Sequence, residues 1–200
     1  MPDAITFDGR YLKAVALAAA NETTRDYLVG VMLEYTPETG PLIVATNGHV
    51  LLAARGAEPD PADRDTPAKV FIPSHVVKML KLHRNYTTCT LTPGQDGIWT
   101  LAHDGQMLAF KTDPDHSYPE WRRVVPSPTE PGAPAYLNPA YIALMAKAGA
   151  LVGDDKPRFV TSGGAPAWVE YGPGVNMFGA VMPMRHRDLA APIARPEWLA

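Results

Sequence analysis

Histidine is the first residue type to weigh for catalysis or metal binding. His49, His75, His83, His103, His116 and His186 are scattered, with no His-Glu-x-x-His run and no paired Cys/His spacing. Ser74 and His75 are chain neighbours at an expected helix start, where hydroxyl and imidazole cannot face each other as nucleophile and base. The Gly-rich run Thr161–Pro166 leads into an expected strand, not a helix, so it makes a poor phosphate loop. The carboxylates fall in expected turns, without a frame to pair them. The reading is a non-catalytic chain with no metal and no cofactor. What remains is chemistry of recognition. SYPEWRRVVP at Ser117–Pro126 carries Tyr118, Trp121, Arg122 and Arg123 between prolines. ATNGH at Ala45–His49 and VMPMR at Val181–Arg185 are the other two segments whose residue types suit an apolar pocket with polar anchors.

The chain around them is globular in composition. A hydrophobic content of 46% over 200 residues supports a real core and one or two domains. No apolar run is long enough to span a bilayer, and the N-terminus lacks the pattern of a secretory signal, so no membrane partner is expected. Cys89, the single cysteine, cannot form an internal disulfide; a reduced, cytoplasmic setting fits. Prolines concentrate at Glu58–Pro67 and Pro126–Pro134, which read as connectors.

Between the connectors a pattern recurs. Asp8 can cap a helix with Leu12, Val15, Ala16 and Ala19 on one face; alternation then predicts a strand with Val29, Val31, Leu33 and Tyr35 on one side, and two more strands follow around Asn47-Gly48. FIPSHVVKMLKLHRN predicts a second helix with Val76, Met79 and Leu80 inward, followed by three short strands. Asn138 and Pro139 open a third helix with Tyr141, Leu144, Met145 and Ala148 as its apolar stripe, and strands follow again. Phe7, Phe71 and Tyr136 open the three units at nearly equal spacing. The expectation is an α+β fold: antiparallel sheets with helices on one face and water on the other. Units at about 1–57 and 68–126 would pair as one domain, 1–126. A Pro-rich linker at 127–134 then leads to a half-domain at 135–186 and a tail at 187–200. The half-domain would stand alone or pair with another chain.

Net charge is −3, which argues against binding nucleic acid by bulk charge. The cations are nonetheless placed on helices: Arg10 and Lys13, then Lys78 and Lys81 with Arg84, then Lys147. The acids gather in connectors. For one helix this is the solvated face of an amphipathic element. On three helices together it suits phosphate contacts to a duplex, without base reading.

The chain resembles the bacterial sliding clamp, the β subunit of DNA polymerase III. DYLVGVMLEYTPETGPLIVATNGHVLLAA looks like that family's middle domain around its ATDGHRLA segment, and FIPSHVVKMLK like the second helix of that domain. YPEWRRVVP is similar to the family's FPDYRRVLP, and GAVMPMR to its C-terminal VMPMRL. The resemblance implies an oligomer whose helices line a channel for double-stranded DNA, held without sequence preference. It also implies a pocket where a replicative polymerase and other proteins with clamp-binding motifs dock, and it leaves room for a clamp loader. Carried over by position, the pocket residues are Thr46, Gly48, His49, Leu51, Pro119, Arg123, Val124, Val181, Met182, Pro183, Met184 and Arg185. The same resemblance makes Arg10, Lys13, Lys78, Lys81, Arg84 and Lys147 the DNA-facing set.

There are departures. Three units replace the family's six, and Asn47 and Val50 stand where the family usually has Asp and Arg. The tail beyond Arg185, with Leu189 and Trp198-Leu199, either docks in a pocket like a built-in ligand or frays. A second functional reading keeps the pocket but not the ring: a clamp mimic that captures clamp-binding proteins, as a phage or mobile-element module would.

Overall fold

The computed structural model describes residues 4–21, 23–60, 63–83, 86–113, 115–126, 132 and 134–185. The tail at 187–200, His186, Arg84 and most of the 127–134 connector lie outside the described residues.

Each unit is built from an opening segment, a helix and three strands. The first comprises β1 (Ile5–Asp8), α1 (Gly9–Val15), β2 (Gly30–Thr36), β3 (Gly40–Thr46) and β4 (Val50–Arg55). The second comprises β5 (Ala68–Pro73), α2 (Ser74–Met79), β6 (Thr88–Pro93), β7 (Ile98–His103) and β8 (Gln106–Lys111). The third has α3 (Pro139–Val152), β9 (Arg158–Val160), β10 (Ala167–Glu170) and β11 (Met177–Val181), with residues 134–137 before the helix in no strand.

The helix starts follow local chemistry. The Asp8 carboxylate accepts the Arg10 N–H at 2.9 Å, and the Asn138 side chain accepts the Ala140 N–H at 2.9 Å behind Pro139. Gly153 takes φ +101° and stops α3, a conformation that would strain any other residue. The end of α2 is set from elsewhere. The Gln106 side chain receives the Lys81 N–H at 3.0 Å and donates to the Met79 carbonyl at 3.0 Å, clipping the helix after six residues. Leu80 then turns extended and stays buried, so Val77 takes the inward place expected of Met79, which is 49% exposed.

The opening strands are exchanged. β1 leaves its own unit to pair with β6, and β5 pairs with β2, both antiparallel. One sheet runs β1-β6-β7-β8. The other continues across the first and third units as β5-β2-β3-β4-β11-β10-β9. The joint is antiparallel, Val50 opposite Val181 and Ala54 opposite Met177. Ile5, Phe7, Leu12, Val15, Leu33, Ile72, Leu80, Leu91, Leu101 and Met145 fill the core between sheets and helices. All three helices contribute to that core, and the α+β architecture is as expected.

The outer face of the long sheet departs from expectation. It is covered, not turned to water, by a second cluster of Met32, Val44, Leu51, Ala53, Phe71, Trp121 and Ala180, with Tyr118, Val125 and Phe178 packed on it. The cause is in the strands. β2, β3 and β4 are apolar on both faces over this stretch and need cover on both. The segment 115–126 supplies it as a strap. His116 stacks on Phe71 with centroids 3.8 Å apart, and its Nε2 lies 3.1 Å from the Tyr27 carbonyl. The Tyr118 hydroxyl donates to the Val44 carbonyl at 3.4 Å, and burial pushes that phenol well above its usual range. Arg122 pairs with Glu34 at 2.7 Å while its guanidinium lies 4.3 Å over the Trp121 ring.

Candidate functional site

Where the strap crosses the β4–β11 joint, a cleft of about 300 Å³ opens. Its first wall is the turn between β3 and β4. Thr46 Oγ1 donates to the Val50 carbonyl at 2.7 Å and accepts the Gly48 N–H at 3.0 Å. The Asn47 side-chain oxygen accepts from the His49 and Val50 N–H groups at 2.9 and 3.0 Å. An Asp oxygen could accept the same bonds, so Asn47 serves the turn and does not line the cleft. Gly48 has φ +87°, and a Cβ there would meet the Arg25 guanidinium at 2.9 Å. The turn is therefore fixed before any ligand arrives, and its glycine lets Arg25 lie across it.

The second wall is the strap, through Pro119, Glu120, Trp121 and Val124. The third comes from Pro166, Ala180 and Met182, and the Met182 N–H donates to the His49 carbonyl at 2.8 Å. Arg25 and Tyr27, from the turns before β2, close the rim. Leu28, Val50, Leu51 and Ala180 form a buried apolar floor, whereas Val124 is 52% and Met182 44% exposed at the mouth. Two large apolar side chains held open beside a preformed apolar floor can take up a complementary apolar side chain. Arg25, His49 and Glu120 are the polar groups that could orient it.

Of the residues singled out in the sequence, Thr46, Gly48, His49, Leu51, Pro119, Val124 and Met182 line the cleft. Val181 is buried beneath it in β11. Arg123, Pro183, Met184 and Arg185 are outside its lining; the Met184 N–H is bonded to the Tyr136 carbonyl at 2.7 Å. Val50, noted in the sequence only as a departure from the family, also lines the cleft. Sequence reasoning left Arg25, Tyr27, Leu28, Glu120, Trp121, Pro166 and Ala180 out of the pocket set. Trp121 had the clearest signal, an aromatic in the very segment singled out; Arg25 and Pro166 had none, because only the tertiary fold brings them there.

The expected DNA-facing cations divide in two, and Lys81 falls beyond the end of α2, not on the helix as expected. Arg10 is engaged by Asp8 at 2.6 Å, and the Lys13 ammonium donates to the Val77 carbonyl at 2.7 Å, its pKa lowered by desolvation. Lys78, Lys81 and Lys147 are exposed. Arg84 is outside the described residues. Among the described residues no group of His, Cys, Asp and Glu could hold a metal ion, and no helix is long and apolar enough to cross a membrane.

No protein-family model matches the chain, and no curated protein matches it in sequence. Solved structures do match in fold. The DNA polymerase III β subunit of Thermotoga maritima aligns at TM-score 0.70 and 14% identity, over 93% of this chain and 67% of that one. The DNA polymerase sliding clamp of Pseudomonas aeruginosa aligns at TM-score 0.67 and 16% identity, over 92% and 66%. The fold is that of a bacterial sliding clamp. The β subunit of Borrelia burgdorferi, solved in complex with a natural product, agrees at TM-score 0.70 and 13% identity, over 93% and 64%. This clamp-like chain thus spans about two thirds of the length of the clamps it matches, and is a shortened version of the fold.

Proposed function

We propose that the chain is a non-catalytic, cytoplasmic, sliding-clamp-like processivity factor. It assembles as an oligomer around duplex DNA, without reading sequence, and tethers a polymerase or repair protein through the cleft. In this reading 1–126 is one clamp domain, 135–186 is a half-domain, and the cleft sits between them. The observation that carries it is the meeting of three sequence-distant segments, Thr46–Leu51, Pro119–Val124 and Ala180–Met182, on one preformed apolar cleft, within a clamp fold.

Fluorescence anisotropy with a labelled apolar-aromatic peptide tests the cleft. Met182→Ala is expected to weaken binding at least tenfold with an unchanged circular dichroism spectrum, and Met184→Ala to leave it unchanged. Equal effects, or none, place the docking site elsewhere. Retention on circular DNA and release on linearisation tests encirclement. Lys78→Glu with Lys81→Glu should weaken retention and flatten its salt dependence, by roughly 0.9 in log–log slope for each phosphate no longer neutralised; an unaltered slope removes those lysines from the DNA-facing surface.

A second reading has its own support. With Arg10 held by Asp8 and Lys13 by a carbonyl, fewer cations are left to meet phosphate, as suits a mimic that keeps the cleft without the ring. A chain that binds the peptide but slides off circular DNA is that mimic.

A further inference from the structure

The first two units complete each other, and the third is built to be completed in the same way. Counting from each helix cap makes the three comparable: Asp8 for α1, Pro73 for α2 and Asn138 for α3. Seven residues on, Val15, Leu80 and Met145 are all buried, so the alignment holds. Four residues on, Leu12 is 0% and Val77 3% exposed, but Ile142 is 39% exposed. In the first two units the helices meet next to this position: the Lys13 ammonium reaches the Val77 carbonyl from α1 to α2. The equivalents of Lys13 and Val77 in α3 are Ala143 and Ile142, both apolar and both exposed. Lys147 is the one charged residue in a fourteen-residue helix, and a helix apolar on nearly every side belongs inside a protein.

The strands show the same incompleteness. β2 and β6, the first strands after their helices, each carry the other unit's opening strand on the outer edge. β9 holds the equivalent place and pairs only with β10 among the described residues. The third unit also has an opening segment to offer. Two residues before each cap, a backbone group turns away from the sheet that the opening strand joins. The Thr6 N–H goes to Asp63, the Phe71 N–H to Thr112, and the Tyr136 carbonyl receives the Met184 N–H. Backbone groups alternate along an extended chain, so those of Leu137 point the opposite way, as those of Phe7 and Ile72 do toward β6 and β2.

We propose that a second copy of this chain completes the third unit by reciprocal exchange. The opening segment 134–137 of each copy adds to the outer edge of the other's β9, and the two α3 helices pack through Ile142. The arrangement repeats between chains what β1 and β5 do within one. A second copy is the occupant because the third unit holds both halves of the contact, an edge and a strand to fill one, so a two-fold axis satisfies both at once. The register follows from the existing pairs. Phe7 faces Cys89 and Ile72 faces Val31; Leu137 then faces the partner's Phe159, both inward, and Tyr136 faces the partner's Val160. The pairing stands on geometry alone and does not depend on DNA or peptide binding.

Sedimentation equilibrium of the full chain should give twice the chain mass, or an even multiple of it where a second interface closes a ring. Ile142→Glu alters a position that is exposed in the single chain, so its circular dichroism should match the parent while dimer dissociation rises at least tenfold and melting falls to that of the dissociated chain. For the register, Tyr136→Cys with Val160→Cys is oxidised with copper phenanthroline. Within one chain the Tyr136 carbonyl is held by the Met184 N–H past the end of β11, with β10 between that strand and β9, so the product expected is a covalent dimer, read as twice the chain mass without reductant. Cys89 is buried, with its thiol pushed up to about 12, and does not compete. A monomer at all concentrations, a dimer indifferent to Ile142→Glu, or a dimer that the cysteine pair does not cross-link would each overturn the proposal.

Discussion

The chain contains two joints between units, and they are made differently. The first and second units exchange opening strands and share one core, with Phe7 from one unit set against Cys89 from the other. The first and third units meet edge to edge, β4 against β11, backed by α1 and α3 on one side and the strap on the other. Exchange leaves no seam. Edge-to-edge contact leaves one, and the cleft lies along it. A joint that does not interdigitate gives up buried area and gains a surface that can be shaped for a ligand.

Four substitutions probe this contrast, in falling order of effect. Phe7→Ala, in the exchanged joint, should cost about 3–5 kcal/mol in urea unfolding and speed labelling of the buried Cys89 thiol. Trp121→Ala, on the strap, should cost about 3 kcal/mol and abolish peptide binding, yet leave Cys89 as slow to label as in the parent. Should both variants expose Cys89 equally, the joints unfold as one unit and the contrast fails. Gly48→Ala should cost about 1–2 kcal/mol, since φ +87° strains an L side chain, and displace Arg25 from the turn, read as weaker binding of the labelled peptide. The smallest effect is at Asp63. Burial raises its pKa, and its Oδ2 has no hydrogen-bond partner among the described residues. An acid whose folded pKa is raised lends stability that is complete below the unfolded value and is lost as pH rises through the folded one. Asp63→Asn should therefore gain on the parent in thermal melts at neutral pH and lose that advantage in acid. An advantage that does not change with pH would place its cause elsewhere.

The sequence displayed what is local. Asp8, Asn138-Pro139 and Gly153 punctuate helices with their own side chains or backbone, and the alternation in β2 marks its inward residues. Three parts of the expected cleft wall were visible because an Asn-Gly turn, a Pro-flanked aromatic segment and a Met-Pro-Met run each have a local signature. What escaped was set at a distance. α2 ends where Gln106 catches it, a residue 27 positions beyond Met79. The outer face of the long sheet was expected to be wet because β2 was read by its alternation alone; the apolar residues on both faces of β2 to β4 call for cover, but nothing in them names residues 115–126 as its source. Arg25 and Pro166 enter the cleft only once the β4–β11 joint has formed.

The exchange of opening strands also bears on how the polypeptide matures. Ile5 pairs with Leu91 and Asp8 with Thr88, so β1 has no partner until some eighty residues more have been translated. At about 5–20 residues per second that is a wait on the order of ten seconds. During it, Ile5 and Phe7 are bare to the ribosome's surroundings. A nascent chain stalled in the connector after β4 should be the species most prone to be held by a chaperone, and one released after β8 the first that can bury both residues.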